Sequence, residues 1–269
     1  MKIIHISDIH ACTAPDSFSA FFDKRIIGFF NYLFRRRFQH KIEYLNKCVE
    51  YILNNPPDVI VCTGDLSSTS QPAEFEIVKK ILKPIFKLDD VKFLCVPGNH
   101  DVYVKNTKCQ EALQETLHTL NYENISTLEM PRIVRVGRVE LMLCDECCPT
   151  NIFLSTGKMT AQTVMAVEEW GRDDRNGSIK ILVGHFPLKH KYGAGGFRHR
   201  LYGHHTVRDL LDERKIALSL CGHIHSGYSD IDDKGYGEIC AGSLTRFGRM
   251  AEIVVNESSG IFSHKFIKL

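Results

Sequence analysis

With 269 residues, 43% hydrophobic and 25% charged, the chain has an ordinary globular composition and enough apolar side chain to bury a sizeable core. Its formal net charge of +2 is too small to mark a nucleic-acid polymer as partner; none is expected, and any electrostatic role must be local. Residues 1–6 run straight toward Asp8 without the pattern of a secretory leader, and no apolar run reaches the ~20 residues of a membrane span, so a cytoplasmic protein with reduced thiols is expected.

Residues 2–7 are apolar and bounded by polar residues, the pattern of a buried first strand. Phe18, Phe22, Ile26, Phe29 and Leu33 then recur at helical spacing, widened by Phe21, Ile27, Phe30 and Phe34, and Gly28 is expected to divide this stretch into two short helices. Lys24, Arg25, Arg35, Arg36, Arg37 and Lys41 surround that face, against Asp23 alone. Ile42, Leu45, Val49, Ile52 and Leu53 make a cleaner amphipathic helix, stopped by Pro56-Pro57. A strand at 58–63, a helix at 71–88 and a strand at 91–96 complete a β-α-β-α-β order, which indicates a mostly parallel sheet.

Beyond it the pattern predicts a helix at 106–120 and a hairpin of 133–136 and 139–144 about Gly137-Arg138. A helix at 160–175, a strand at 179–183, a helix at 206–214 and a strand at 216–221 follow, then tail strands at 250–255 and 261–267. The expectation is one α/β domain over 1–269 with a helical insertion at about 16–40. Two sheets would pack face to face with helices outside, strands one to three in the first and the hairpin and later strands in the second. Of ten cysteines, Cys62, Cys95, Cys144, Cys221 and Cys240 lie in or beside strand-like runs, where Cys behaves as a small hydrophobe. Cys144 and Cys147 have Cys-x-x-Cys spacing but no second pair, and no zinc knuckle is expected.

Five apolar runs are each released into Asp, Asn or His: Asp8 and His10, Gly64-Asp65, Gly98-Asn99-His100-Asp101, Gly184-His185, and Gly222-His223-Ile224-His225. Ligands at the carboxyl ends of strands would meet on one rim, where open α/β sheets place their sites. Asp8, His10, Asp65, Asn99, His185, His223 and His225 offer carboxylate, amide oxygen and imidazole, the donors of hard and borderline divalent cations. Seven donors exceed the needs of one ion and fit two sharing a carboxylate, an arrangement suited to in-line displacement at a phosphoester or pyrophosphate. Asp145, after a strand, could support the ligands; His5, His118, His190, His204, His205 and His264 match no block.

These five blocks, in this order, resemble the calcineurin-like metallophosphoesterases, whose pattern is Asp-x-His, Gly-Asp, Gly-Asn-His-Asp/Glu, a lone His and Gly-His-x-His. The resemblance implies a four-layer α/β/β/α sandwich, with one metal held by Asp8, His10, Asp65 and His225 and another by Asp65, Asn99, His185 and His223. It also implies that His100 contacts the phosphate and assists the leaving group, with Asp101 orienting it, as a general acid held by a carboxylate would be. Two divalent cations are the implied cofactors, Mn²⁺ the first expectation, with Fe, Zn²⁺, Mg²⁺ or Co²⁺ accepted by the same donors.

Asp65 is followed by Leu66-Ser67-Ser68, not the Arg-bearing continuation of the protein Ser/Thr phosphatases, which argues against phosphoprotein. The insertion either packs on the core or lies at a bilayer surface, its Phe, Ile and Leu toward acyl chains and its Lys and Arg toward anionic headgroups. In the second case residues 18–37 contact the membrane, and Arg35, Arg36 or Arg37 lies near a substrate phosphate. The basic stretch 189–200, with Arg198 and Arg200, is either a loop over the site or a long surface loop. Lys24-Arg25-Ile26-Ile27-Gly28 through Arg37 is similar to the insertion of the chlamydial type of UDP-2,3-diacylglucosamine pyrophosphatase, which implies a nucleotide-linked lipid substrate cleaved to lipid X and UMP in lipid A biosynthesis. Cyclic nucleotide phosphodiesterase or generic phosphoesterase is the alternative. A non-catalytic scaffold of the superfamily would lack metal ligands, and none is missing here.

Overall fold

A computed structural model describes residues 1–15, 22–31, 33–34, 37–151, 154–189 and 196–269. In chain order the strands are Lys2–Ile6 (β1), Val59–Cys62 (β2), Lys92–Cys95 (β3), Arg132–Val136 (β4), Val139–Leu143 (β5), Gly157–Lys158 (β6), Ile179–Val183 (β7), Leu201–Tyr202 (β8), Leu218–Cys221 (β9), Tyr228–Ile231 (β10), Gly237–Cys240 (β11), Arg249–Asn256 (β12) and Ile261–Lys268 (β13). The α-helices are Arg25–Asn31 (α1), Arg37–Gln39 (α2), Glu43–Asn54 (α3), Pro72–Leu82 (α4), Thr107–Leu120 (α5), Ala161–Arg172 (α6), His205–Asp212 (α7) and Leu244–Phe247 (α8).

One sheet runs β13-β12-β1-β2-β3 and the other β10-β11-β9-β7-β5-β4. β1, β2 and β3 are parallel and in step, Ile6 opposite Cys62 and Cys62 opposite Cys95, so the three loops that follow leave the sheet at one level. The second sheet has a parallel centre, β5-β7-β9-β11, closed by antiparallel β4 and β10. The tail hairpin departs from expectation. β12 pairs antiparallel with β1, so β12 and β13 extend the first sheet and not the second. Alternation marks such strands but carries no information on which sheet edge they will find.

The layering is visible in the core. Ile3, Val61, Leu94, Leu141, Ile181, Leu220 and Ile253 pack together between the two sheets. Ile4, Ile60 and Phe93 point the other way, onto Leu45 and Ile52 of α3, Phe75 and Val78 of α4 and Leu117 of α5. Met142 and Leu182 of the second sheet meet Val167 and Trp170 of α6 and Leu210 of α7. Period-2 strands therefore bury both faces, and the order is helix, sheet, sheet, helix.

Of the insertion, 16–21, 32 and 35–36 lie outside the described residues, as do 190–195 of the later basic stretch. Gly28 does not divide the helix; it lies inside α1, where a Cβ would meet Thr69 Cγ2 at 2.3 Å. Its smallness serves close approach of α1 to the body of the protein. Arg25, expected on the basic rim, is buried and paired with Asp23 at 2.7 Å. Phe22, Phe30, Phe34 and Phe38 are exposed. No helix of the described residues is long and apolar enough to cross a membrane.

Candidate metal centre and active site

The loops after β1, β2, β3, β7 and β9 converge, and their backbones are knitted first. Asp8 N donates to Gly64 O at 3.0 Å and His10 N to Asp65 O at 2.8 Å. Gly64 (φ +86°) and Gly98 lie so close that a Cβ on Gly64 would sit 2.3 Å from Gly98 N, and one on Gly98 2.2 Å from Asp65 N. Asp8, His10, Asp65 and His223 all have positive φ, between 50° and 66°. Side chains there cost energy that surrounding contacts must offset, a feature that gathers at functional sites.

The side chains form two sets that share one oxygen. In the first, His10 Nε2 lies 3.1 Å from His225 Nε2, 3.8 Å from Asp8 Oδ1 and 3.5 Å from Asp65 Oδ2, with His225 Nε2 3.5 Å from Asp8 Oδ1. In the second, His185 Nε2 lies 3.6 Å from Asp65 Oδ2 and 3.1 Å from Asn99 Oδ1, which is 2.9 Å from His223 Nδ1. Donors about 2.0–2.2 Å from one ion at tetrahedral or octahedral angles stand roughly 3.0–3.6 Å apart, so both sets have the spacing of a coordination shell. All seven donors read from the sequence are brought together, and Asp65 Oδ2 is common to both groups.

The electrostatics fit cations as well. Asp8 Oδ1 is buried with no hydrogen-bond partner among the described residues. Burial, with the Asp65 carboxylate beside it, pushes Asp8 up to about 7. Two buried carboxylates side by side are what a divalent cation relieves. His185 donates from Nδ1 to Thr63 O at 2.6 Å, which leaves its lone pair on Nε2, the tautomer a metal ligand needs.

His100 lies beside the first set, its ring centroid 4.8 Å from that of His10, and donates from Nδ1 to Ser68 O at 2.7 Å. Asp101 does not orient this ring as expected. Its carboxylate accepts instead from Gly98 N, Leu66 N, Ser67 N and Ser67 Oγ at 2.9, 3.1, 2.8 and 2.9 Å, stapling the loop after β2 to the loop after β3. Three backbone N–H groups outcompete one imidazole because each would otherwise be buried unsatisfied.

Arg35 and Arg36 lie outside the described residues, and Arg37 opens α2. Arg198 and Arg200 are exposed; their neighbour His199 has its ring 5.5 Å from that of His223, so this stretch borders the site. Several participants had no signal in local spacing. Glu146, next to the singled-out Asp145, accepts from His185 N and Phe186 N at 2.9 and 2.8 Å, and burial pushes it up to about 8. Asp145 accepts from Cys147 N. Tyr103 stacks on His100 at 5.4 Å with Lys24 Nζ 4.2 Å from its ring centroid, which brings α1 against the site. On the other side His40, at the end of the insertion, has its ring 4.7 Å from that of His10. A cavity of about 440 Å³ opens there, lined by Ile9, His10, Cys12, His40, Ile42 and Ile77 among others.

The chain is 24% identical over 189 residues to a probable glycerophosphodiester phosphodiesterase, GpdQ, of Arcobacter nitrofigilis; the match covers 69% of this chain and 63% of that protein, less than two thirds of its length. Among solved structures, TT1561 of Thermus thermophilus superposes with a TM-score of 0.55 at 13% identity, covering 98% of this chain and 97% of that one. A dimetal phosphatase from Danio rerio gives 0.52 at 13% identity, with coverages of 99% and 92%. At such identities the structures speak for the fold alone. The family model described as calcineurin-like phosphoesterase matches residues 1–227, and with the five blocks in place along that span the chain belongs to this family.

Proposed function

We propose that the protein hydrolyses a phosphodiester or pyrophosphate bond with two divalent cations, and that UDP-2,3-diacylglucosamine is its leading substrate. The observation that carries the reaction class is the pair of donor sets meeting at Asp65 Oδ2. Asp8, His10, Asp65 and His225 would hold one cation, and Asp65, Asn99, His185 and His223 the other. When bound, such a pair lowers the pKa of water and offsets charge on phosphoryl oxygens. His100, its Nδ1–H fixed on Ser68 O, has Nε2 as the atom that can give a proton to the leaving oxygen. Glu146 and Asp101 keep the ligand loops in place.

The lipid reading draws support from α1 packed by Tyr103, from the cavity beside His10 and His40, and from the exposed phenylalanines of the insertion. Those rings, with Lys41 and Arg35, Arg36 and Arg37, would rest on an anionic membrane surface, which would put the protein at the cytoplasmic face of the inner membrane. Likeness to a glycerophosphodiester phosphodiesterase favours a second reading, a smaller glycerol-linked diester. UMP release from UDP-2,3-diacylglucosamine, measured beside glycerophosphodiester and bis-p-nitrophenyl phosphate hydrolysis, with and without chelator, decides between them. Deleting 18–37 should abolish lipid turnover and spare the small diesters. Parallel loss or retention of all activities refutes the lipid reading, and chelator-resistant turnover refutes the metal-dependent one.

A further inference from the structure

His40 stands outside the five blocks yet is built into the same centre. One ring nitrogen of each of His10, His40 and His225 lies within 4.8 Å of the others. The His40 ring is edge-on to both neighbours, at 4.7 Å and 69° from His10 and at 5.6 Å and 89° from His225. Its position is fixed by Thr245, which is fully buried. The Thr245 hydroxyl donates to Ile9 O at 2.6 Å, and having spent its one proton it accepts from His40 Nδ1 at 2.9 Å. That bond sets the tautomer: the proton is on Nδ1 and the lone pair on Nε2. The backbone is clasped by the same residue, Lys41 N donating to Thr245 O at 2.9 Å. A histidine that only lined the surface would need neither bond. A metal-ligating imidazole has such a partner on its other nitrogen as a rule.

We propose that His40 is an additional imidazole donor to the cation between His10 and His225, making that site the nitrogen-rich member of the pair. The inference rests on the two-cation reading above and deepens it. Three imidazoles against two carboxylates favour Zn²⁺ or Co²⁺ over Mg²⁺ at this position, whereas the set with Asn99 keeps the amide oxygen that harder ions accept. It also makes the insertion part of the centre: the chain leaves the Asp8–His10 loop, forms the insertion and returns a ligand to the metal it left.

The test uses metal-free full-length protein titrated with Co²⁺, read by calorimetry and by the visible absorption of the bound ion, with Zn²⁺ and Mg²⁺ titrated in parallel. Wild type should bind two ions per chain. H40Q and H40A should still bind two, with Kd for one raised about 10–100-fold and that site's absorption changed, and the Zn²⁺-to-Mg²⁺ preference reduced. T245V should move in the same direction by less. Circular dichroism of the metal-free variants controls for folding, and H225A, which removes a donor of the same ion, sets the scale. Unchanged Kd and spectra in both His40 variants, with two ions bound by wild type, overturn the role of His40 alone. A wild type that binds no ion overturns the two-cation reading and this inference with it.

Discussion

Asp101 separates two accounts of the centre, because it either orients His100 or holds the loops. Asp101→Ala removes the acceptor of three backbone N–H groups, from Gly98, Leu66 and Ser67, in a buried setting. The Ser67 hydroxyl loses least, since His100 O is also 3.1 Å from it. Three orphaned donors at about 1–3 kcal/mol each are partly offset by no longer burying a carboxylate, leaving a loss of about 3–5 kcal/mol. For a chain of this size that is a fall in Tm of roughly 10 °C. Asp101→Asn can turn its NH₂ toward Ser67, keep its oxygen for Gly98 and Leu66, and lose about 1–3 kcal/mol for a single orphaned N–H. Thermal unfolding of chelated protein measures both. Turnover of two diesters, one with a good and one with a poor leaving group, is measured beside it. Loss of a general acid hurts only the poor leaving group, whereas loosened loops slow both. A normal Tm in Asp101→Asn together with selective loss of the poor leaving group, as expected for His100→Ala, would refute the staple.

Further outcomes follow from other contacts. Gly28→Ala sets a methyl 2.3 Å from Thr69, a residue that cannot yield because its N and Oγ1 are bonded to Glu74; it should cost about 1–3 kcal/mol, speed hydrogen exchange in α1 and, on the proposed lipid reading, cut UDP-2,3-diacylglucosamine turnover while sparing bis-p-nitrophenyl phosphate. His5 is fully buried, which holds it down at about 3 against 6.5 when exposed. Between those values the unfolded chain binds a proton the folded one refuses, so stability is complete above about pH 6.5 and falls below it by about 1.4 kcal/mol per pH unit. Urea midpoints from pH 7 to 5 in metal-free protein should drop less steeply in His5→Gln than in wild type. Chelation should abolish turnover and lower Tm, and readdition of a divalent ion at 100 times its Kd should restore about 2.7 kcal/mol per site.

The centre was legible because its residues sit where apolar runs end, and parallel strands in register deliver their ends to one level. Layering followed from the β-α-β order for the same reason. What escaped were relations that local pattern does not encode. The tail hairpin alternates as any edge strand does, and only β1 decides that it joins the first sheet. Gly28 looked like a helix breaker because propensity is the one local property of glycine; the reason for it is Thr69, far along the chain. The Thr245 hydroxyl that holds the His40 ring lies 205 residues away in the chain, far beyond helical or strand spacing. The resemblance implied that Asp101 orients the adjacent His100, yet its carboxylate takes backbone N–H groups from its own loop, at Gly98, and from the neighbouring one, at Leu66 and Ser67.

Backbone and side chains in this centre are each unfavourable alone and consistent only together. Asp8, His10, Asp65 and His223 hold left-handed backbone at a cost of roughly 1–3 kcal/mol each. Asp8 is a buried carboxylate raised to about 7 by burial and by Asp65. The left-handed turns are what bend Asp8 Oδ1, His10 Nε2 and Asp65 Oδ2 back toward one another instead of along their strands. Relaxing either feature separately would stabilise the metal-free chain and disperse the donors. Glu146, Asp101 and Thr245 oppose that relaxation from three sides, the two carboxylates through backbone N–H groups and Thr245 through Ile9 O. The strain is therefore held by the fold in advance, so that a cation meets donors already at coordination spacing and its binding energy is not consumed in ordering them.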